Sequence, residues 1–475
     1  MENPDDDMET FDTDILVIGG GAAGLMAAAG AARAAGHGKR VAILEKMPRP
    51  GRKIMITGKG RCNFTNAKPW NDFSRHIHPK ADFLKPSFYN LNPEKMMDFL
   101  SETGMDSVVE RGDRAFPASY KASDVVDALV KAAEKSGSDL ICNAEAMSVN
   151  TVSEGFEVKC KDGRLFRTKK LIVCTGGLSY PSTGSTGDGY NWAESMGHSV
   201  KELFPSLTAI VPKGYKSESG KEQTAGHPQK QIKGMLEKQA GLQMKSRQDR
   251  KMKGHIDRSE PLSETGNMLC GNSLKNVGLS ICIDGNPVQN EFGDLDFTDG
   301  GIEGPIGFKV SRRCVSAIVH GSKVSVSIDL KPAVEPDALS ARIAALFDEI
   351  SKDRRSAGKP YRERFKVLLG KVLPSSLIPA FIRLCPNADH KSLAKYLKSW
   401  KMDIAGYVGY ERCVITAGGI SLDEVLPKTL ESRLVRGLYF AGEILDLDAD
   451  TGGYNLQTAF STGYLAGISA AKSLS

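Results

Sequence analysis

The sequence predicts an α/β protein whose parallel-sheet domain is assembled from both ends of the chain, with a β-rich and then a helical segment inserted between them. Three observations predict it. Residues 14–45 read as strand, glycine turn, helix, strand and terminal acid. Leu438-Tyr439-Phe440-Ala441-Gly442-Glu443, near the other end, is a second apolar strand running into a glycine and an acid. Between them, from about Pro205, short alternating runs with turns take over, and from Pro336 the periodicity turns helical.

The first element justifies a nucleotide domain. Asp14-Ile15-Leu16-Val17-Ile18 is a strand, and Gly19, Gly21 and Gly24 fill the G-x-G-x-x-G positions. Gly19 permits the tight turn, Gly21 lets a pyrophosphate approach the backbone, and Gly24 lets helix pack closely on strand. Ala22 and Ala23 open the helix, whose unpaired N–H groups and partial positive charge face phosphate. Val41-Ala42-Ile43-Leu44 is the second strand and Glu45 ends it, about 20 residues after the last glycine, where it can bond an adenosine ribose. The context is that of a Rossmann-type fold.

A dense loop follows, Lys46 to Asn66. Asn92 to Gly104 is expected to be a helix, as is Ser123 to Ser136 with Ser123 as N-cap. Asp139–Cys142 and Phe156–Cys160 are strand-like and belong on the adenine side. Leu171–Cys174 is an apolar strand ending in Thr175-Gly176-Gly177. Ser179–Gly189 is a turn-rich loop, and Asp188 is a candidate cap for a helix beginning at Tyr190. Leu207–Val211, Gly278–Asp284, Gly307–Val310 and Lys323–Leu330 are expected strands of a small barrel or sandwich. Helices are expected over Ala338–Ile350, Tyr361–Leu368, Ser376–Leu384 and Lys391–Ser399. Strand character returns at Tyr407–Thr416 and Gly437–Gly442, and Asn455–Lys472 is a final helix. The expected organisation is a disordered tail over 1–12 and a nucleotide domain from 13–205 and 405–475. A β-rich insertion over 206–335 and a helical subdomain over 336–404 complete it.

Composition limits the function. The 475 residues suffice for two to three domains. Ile15 to Ala32 is uncharged, but five glycines and a change of period argue against a membrane span. The acidic, polar opening residues do not read as a secretory signal. Nine dispersed cysteines without C-x-x-C suggest reduced thiols in the cytoplasm. The eight histidines are dispersed and none pairs with an acid in an H-E-x-x-H pattern, so no metal is expected.

The net charge of +6 is local. Residues 213–258 hold twelve Lys/Arg against five Asp/Glu, an excess of seven that leaves the other 429 residues near −1. This segment is expected to be a solvated, flexible insertion. Tyr215 is its lone aromatic, so a nucleic-acid partner is not expected, since a single-strand binder needs stacking rings. An RNA or acidic partner for this segment is the competing expectation.

Four features in order favour FAD over NAD as the cofactor. They are the opening fingerprint, Cys174-Thr175-Gly176-Gly177, Ala441-Gly442-Glu443, and Thr451-Gly452-Gly453-Tyr454-Asn455-Leu456-Gln457 opening the last helix. Glu443 can bond a ribitol hydroxyl, and a helix N-terminus at the flavin N1/O2 edge stabilises negative charge on the reduced ring. No second G-x-G-x-x-G follows Gly24, so NAD(P)H is expected at most as a transient reductant.

These motifs resemble the BaiN/RdsA family of NAD(P)/FAD-dependent oxidoreductases, the HI0933-like, aminoacetone-oxidase-like flavoproteins. The matching stretches are Gly51-Arg52-Lys53 through Thr57-Gly58-Lys59-Gly60-Arg61-Cys62-Asn63-Phe64-Thr65-Asn66, then Thr175–Pro181 with Gly184–Tyr190, Phe297-Thr298, Gly304-Pro305, and Thr416-Ala417-Gly418-Gly419 through Gly463. The resemblance implies a split FAD domain with an inserted β-barrel and a small helical subdomain. It also implies either amine oxidation or reduction of an activated double bond on a small-molecule substrate. Asp299 and Glu303 stand where the family usually has a histidine and a serine, and the basic segment is longer than usual. The sequence assigns no oligomeric state.

The residues expected to line the cofactor are Gly19, Gly21, Ala22, Ala23, Gly24, Glu45, Lys46, Gly51, Arg52, Lys53, Thr57, Gly58, Cys62, Asn63, Ala146, Thr175, Gly176, Gly177, Gly442, Glu443, Gly453, Tyr454, Asn455 and Leu456. Cys62 reads as a small packed residue rather than a redox thiol. Lys53, Lys59 and Arg61 are expected to neutralise cofactor charge or receive an anionic substrate. Tyr180 stacks on the flavin, donates a proton, or serves structure alone. Lys59, Arg61 and Tyr180 are the candidate catalytic residues.

Overall fold

The protein is described from a computed structural model. The structure describes residues 9–474 except 37, 218–251 and 357. It comprises two compact units, Met1–Phe204 with Val414–Ser475, and Pro205–Cys413.

The first unit is built on a seven-stranded sheet. Ser138–Ile141, Val41–Leu44, Thr10–Ile18 and Leu165–Val173 lie side by side and parallel. Leu165–Val173 is shared along one edge. Its first half pairs antiparallel with Gly155–Cys160, which continues to Ala146–Val152, while its second half pairs parallel with Leu438–Phe440. The two ends of the chain therefore meet in one sheet. Ile15, Leu16, Val17, Ile172 and Phe440 are fully buried, as a parallel sheet covered on both faces requires. In register, Ile18 lies opposite Leu44 and Val173, and Val173 opposite Phe440, so the strands end together at one crevice.

Helix Ala22–Ala35 and the terminal helix Tyr454–Lys472 pack at a distance that only small residues allow. A Cβ on Gly463 would stand 2.1 Å from the Ala23 carbonyl oxygen, and one on Gly467 would stand 2.0 Å from that of Ala27. The apparent membrane-length run over residues 15–32 is thus the end of a strand, a glycine turn and most of a helix. No helix among the described residues is long and apolar enough to cross a membrane.

The second unit contains a closed barrel. Its ring runs Ile210–Pro212, Gly301–Glu303, Asn286–Thr298, Ser273–Ile283, Val324–Asp329, Trp400–Val408 and back to Ile210–Pro212, every pair antiparallel. Ile281, Leu295, Phe297, Ile302, Val326, Ile328 and Trp400 are buried in it. Helices Pro336–Lys352, Tyr361–Val372, Ile378–Leu384 and Leu393–Lys398 follow, with Phe347 stacked on His390 at 4.2 Å.

Several expectations need correction. Residues 10–12 are not tail but strand, held in register with Leu165–Arg167 and by Phe11 stacked on Phe166 at 5.0 Å. Residues 1–8 of that expected tail, and 218–251 of the basic segment, lie outside the described residues. Ser123 is inside helix Ala122–Lys135 rather than its cap, and its hydroxyl donates to Asp124. Gly307–Val310 is helix, because Ile306, Val310 and Cys314 bury one face of Gly304–Val319 at helical spacing. Trp400–Ile404 is barrel strand rather than helical subdomain, with buried Trp400 and Met402 alternating with exposed Lys401 and Asp403. Tyr407–Thr416 is not one strand: the barrel strand ends at Val408, and Ile415–Ala417 is separate.

Candidate functional site

The site in the first unit grows from the crevice at the strand ends. Gly19 adopts φ +104°, and a Cβ there would meet the Cys174 carbonyl oxygen at 2.5 Å. A Cβ on Gly24 would stand 1.7 Å from the Gly19 carbonyl oxygen. A Cβ on Gly21, by contrast, would meet nothing within 4 Å. Gly21 is also the N-cap of helix Ala22–Ala35 and makes no side-chain cap bond. Ala22 and Ala23 bring no acid to that first turn, so the helix offers its N–H groups to open space. This is the cradle a pyrophosphate needs.

Glu45 is 9% exposed and braces the turn from the second strand. One carboxylate oxygen accepts from the Gly20 amide at 2.8 Å and the other from the Met47 amide at 2.7 Å. Burial pushes this carboxyl up from its ordinary range, while the two amides and the charges of Lys46 and Arg52 oppose that. Each oxygen keeps a second lone pair for a ribose hydroxyl. Ala144 donates to the Glu45 carbonyl at 2.9 Å, so the chain leading into buried Ala146 runs along the same edge.

At the other side of the crevice, Glu443 is the hub. Its carboxylate accepts from Lys53 Nζ at 2.6 Å, from the Thr416 amide at 2.9 Å, and from the Ser179 hydroxyl; Lys53 also donates to Ser179. The Thr416 hydroxyl accepts from the Leu178 and Ser179 amides. A Cβ on Gly177 would stand 2.5 Å from that hydroxyl oxygen. Gly176 (φ +75°) and Gly442 (φ +78°) hold backbone conformations that favour glycine. Thr175 Oγ1 is buried without a partner in the described structure, and a Cβ on Gly189 would stand 2.3 Å from it.

The 51–63 loop begins at Gly51, whose amide donates to the Gly20 carbonyl at 2.9 Å. Arg52, Gly58 and Lys59 are exposed, and Met55 and Ile56 are 43% and 44% exposed. Thr57 donates to the Ile54 carbonyl. Arg61 is held within its own unit: it donates to Glu110 at 2.6 Å and lies over Phe116 and Tyr120, 4.7 and 4.5 Å from their centroids. Cys62 is fully buried, and burial pushes its thiol up to about 11, which keeps it protonated. Asn63 donates to the Thr65 and Ala115 carbonyls, while its buried Oδ1 has no partner in the described structure.

Gly453 (φ +96°) opens the terminal helix, and half-buried Leu456 lies in its first turn. Tyr454 turns into an aromatic cluster, stacked on His76 at 4.2 Å and edge-on to Phe73. Asn455 is engaged with the backbone of Ala449 and Asp450. Asp450 in turn accepts from His76 Nδ1 at 2.8 Å and pairs with His78 Nε2 at 3.3 Å. Burial acts to raise the Asp450 carboxyl, but the histidines outweigh it and hold it at about 2. A carboxyl depressed in the folded state stabilises the protein above its unfolded value near 4 and loses that contribution as pH falls toward 2. Asp450→Asn is therefore expected to be less stable than wild type by about 1–2 kcal/mol at pH 5, with the gap closing toward pH 2. Urea midpoints at the two pH values measure this; equal midpoints at pH 5 would overturn it.

Sequence reasoning missed four partners. Thr186 and Asp188 receive Lys46, the latter at 2.7 Å, so Asp188 is not a cap but the first residue of helix Asp188–Ser195 and an ion-pair partner. Ser179 and Thr416 complete the Glu443 hub. The signal for all four lay in the glycine-flanked stretches quoted above, where small polar residues sit between glycines.

Comparison with known proteins locates the chain. The family described as the HI0933-like protein Rossmann domain matches residues 13–469. A 3-dehydro-bile acid delta(4,6)-reductase of Clostridium scindens is 28% identical, over 96% of this chain and 99% of its own length. A ribosomal RNA dihydrouridine synthase of Escherichia coli is 28% identical over 96% of this chain and 97% of its own. One of the same name from Haemophilus influenzae is 28% identical over 96% and 97%.

Proposed function

The chain belongs to the HI0933-like family of FAD-dependent oxidoreductases, and from that premise we propose that it reduces an electron-poor carbon–carbon double bond of an organic small molecule. The observation that carries this reading is the assembly of one dinucleotide site from both chain ends, at Gly19–Gly24 and Glu443, with no second fingerprint in the sequence. One cofactor is held, and a nicotinamide donor comes and goes. The relatives' names agree on the reaction class. A 3-oxo group conjugated to 4,6 double bonds and the uracil ring both carry an alkene activated by a carbonyl.

Bound FAD supplies the two-electron chemistry, a hydride exchanged at N5. The protein's part is to hold and polarise. Gly19–Ala23 would hold the pyrophosphate and Glu45 the adenosine ribose. Glu443 would take the ribitol, and the helix that opens at Gly453 would offer its N-terminus to the flavin. Such a helix end stabilises negative charge before the reaction needs it. Tyr180, beside the hub residue Ser179 and held at φ +52°, is the candidate to place a proton on the substrate. Exposed Lys59 supplies positive charge in the same loop as exposed Met55 and Ile56, a combination suited to an apolar substrate with a polar end, whereas the charge of Arg61 is already paired with Glu110. Dispersed cysteines without a disulfide among the described residues support a reducing, cytoplasmic setting.

Anaerobic titration with NADH and NADPH, followed by reoxidation with a panel of cyclic enones and 3-oxo-4-ene steroids, tests the proposal. Bleaching of the flavin band by one nicotinamide and recovery with an enone is the expected result. A flavin that no enone reoxidises would overturn the substrate class.

A second reading has two findings in its favour, the excess of seven positive charges over residues 213–258 and the 28% identity to two proteins named ribosomal RNA dihydrouridine synthase. In it the double bond belongs to a uridine in RNA. Deleting residues 218–251 separates the two: loss of turnover on an RNA fragment with enone turnover intact would favour RNA.

A further inference from the structure

The segment after Gly177 is bound to the loop after Glu45 at two points. Lys46 Nζ donates to Asp188 at 2.7 Å and to Thr186, and the Thr186 hydroxyl donates to the same Asp188 oxygen at 2.8 Å. Seven residues on, Lys53 donates to Ser179 and Glu443. The two loops start from different strands. Glu45–Met47 follows Val41–Leu44, and Cys174–Gly177 follows Leu165–Val173, with Thr10–Ile18 and its glycine turn between them. A chain tied at both places crosses the mouth of the fingerprint.

Its glycines press it down on both sides. A Cβ on Gly184 would lie 3.1 Å from Met47 Cγ, one on Gly176 2.9 Å from Ser185 Oγ, and one on Gly189 2.3 Å from Thr175 Oγ1. The two ties differ in character. Glu443 keeps further partners at Thr416 and Ser179, with side-chain exposures of 25% for Lys53 and 11% for Glu443. Asp188, at 38%, is the most exposed of the four charged groups, and its partner Lys46 is 20% exposed.

We propose that residues 179–188 form a strap across the cofactor mouth, and that the Lys46–Asp188 pair is the latch setting how fast FAD leaves the protein. This rests on the FAD reading above. Asp188 is here a positioning residue, acting through Lys46 and the strap.

The test is flavin release from the holoenzyme, followed as recovery of free-FAD fluorescence after dilution. Asp188→Asn keeps the shape and removes the charge, and Asp188→Lys repels Lys46. Release is expected to be faster by about threefold and about tenfold or more respectively. The reversed pair, Lys46→Asp with Asp188→Lys, is expected to return to within about threefold of wild type. Wild-type release should quicken with added salt and that of Asp188→Asn should not. Melting of the apoproteins should be alike for Asp188→Asn and wild type. Wild-type release rates in Asp188→Lys, or a reversed pair as leaky as the single change, would overturn the latch. A wild-type protein that takes up no FAD would overturn the FAD reading itself, and the latch with it.

Discussion

Gly24→Ala is expected to lose FAD affinity by about 100-fold or more, about 2.7 kcal/mol, and to lose about 1–3 kcal/mol of stability from overpacking. The new methyl would lie 1.7 Å from the Gly19 carbonyl oxygen and 3.4 Å from Val17 Cγ1. Something must move by more than an ångström. Helix Ala22–Ala35 has no room to retreat, because Gly463 and Gly467 of the terminal helix already leave no space for a Cβ against Ala23 and Ala27. On that side Gly30 also faces the Tyr464 backbone, its Cβ 2.8 Å from the carbonyl oxygen. The displacement falls on the Gly19 turn, the surface proposed above to receive the pyrophosphate. Gly21→Ala is the matched control. Its methyl meets nothing within 4 Å, so apoprotein melting should stay near wild type while FAD binding still suffers. Flavin content after purification, apoprotein melting and FAD titration measure all three quantities. A Gly24→Ala protein retaining its full flavin would show that the turn is more yielding than its geometry implies.

The contrast between these two glycines shows what could be read from sequence and what could not. The fingerprint predicts both as glycines for a dinucleotide, and the crevice lies where the motif puts it. The closed barrel likewise agrees with the inserted β-barrel that the resemblance implies. What sequence could not reach were partnerships made across long separations. Lys46 and Asp188 stand 142 positions apart and Lys53 and Glu443 stand 390 apart. No local period marks such pairs. The longest barrel strand, Asn286–Thr298, went unread for a different reason. Its first half, Asn286-Pro287-Val288-Gln289-Asn290-Glu291, has turn-forming and polar residues, and only Leu295 and Phe297 are buried. Helix Gly304–Val319 was hidden by its glycines and by Gly307–Val310, too short a run to tell one period from another. At the tail, one ring stack outweighed an acidic composition.

Lys53→Met is expected to cost about 3 kcal/mol of stability, comparable to breaking a buried ion pair on one side. Glu443 is 11% exposed at its side chain, and its carboxylate draws on Lys53, Ser179 and the Thr416 amide. Removing the ammonium leaves a negative charge in a crevice with little water, held by neutral donors alone. The loss should be larger than for Lys46→Met, whose partner Asp188 is 38% exposed and can turn to solvent. It should also be partly reversed by neutralising the stranded acid. The double variant Lys53→Met with Glu443→Gln is expected to be more stable than Lys53→Met alone, since the amide needs no counter-charge. Chemical unfolding of the apoproteins at one pH, taken as a double-mutant cycle, gives the coupling directly. Additive effects of the two changes would mean that Lys53 and Glu443 do not act as a pair. A strong coupling would mean that the hub joining the two ends of the chain is assembled before any cofactor arrives. Glu443 would then meet the ribitol with one oxygen already committed to Lys53, which restricts the directions from which a hydroxyl can approach.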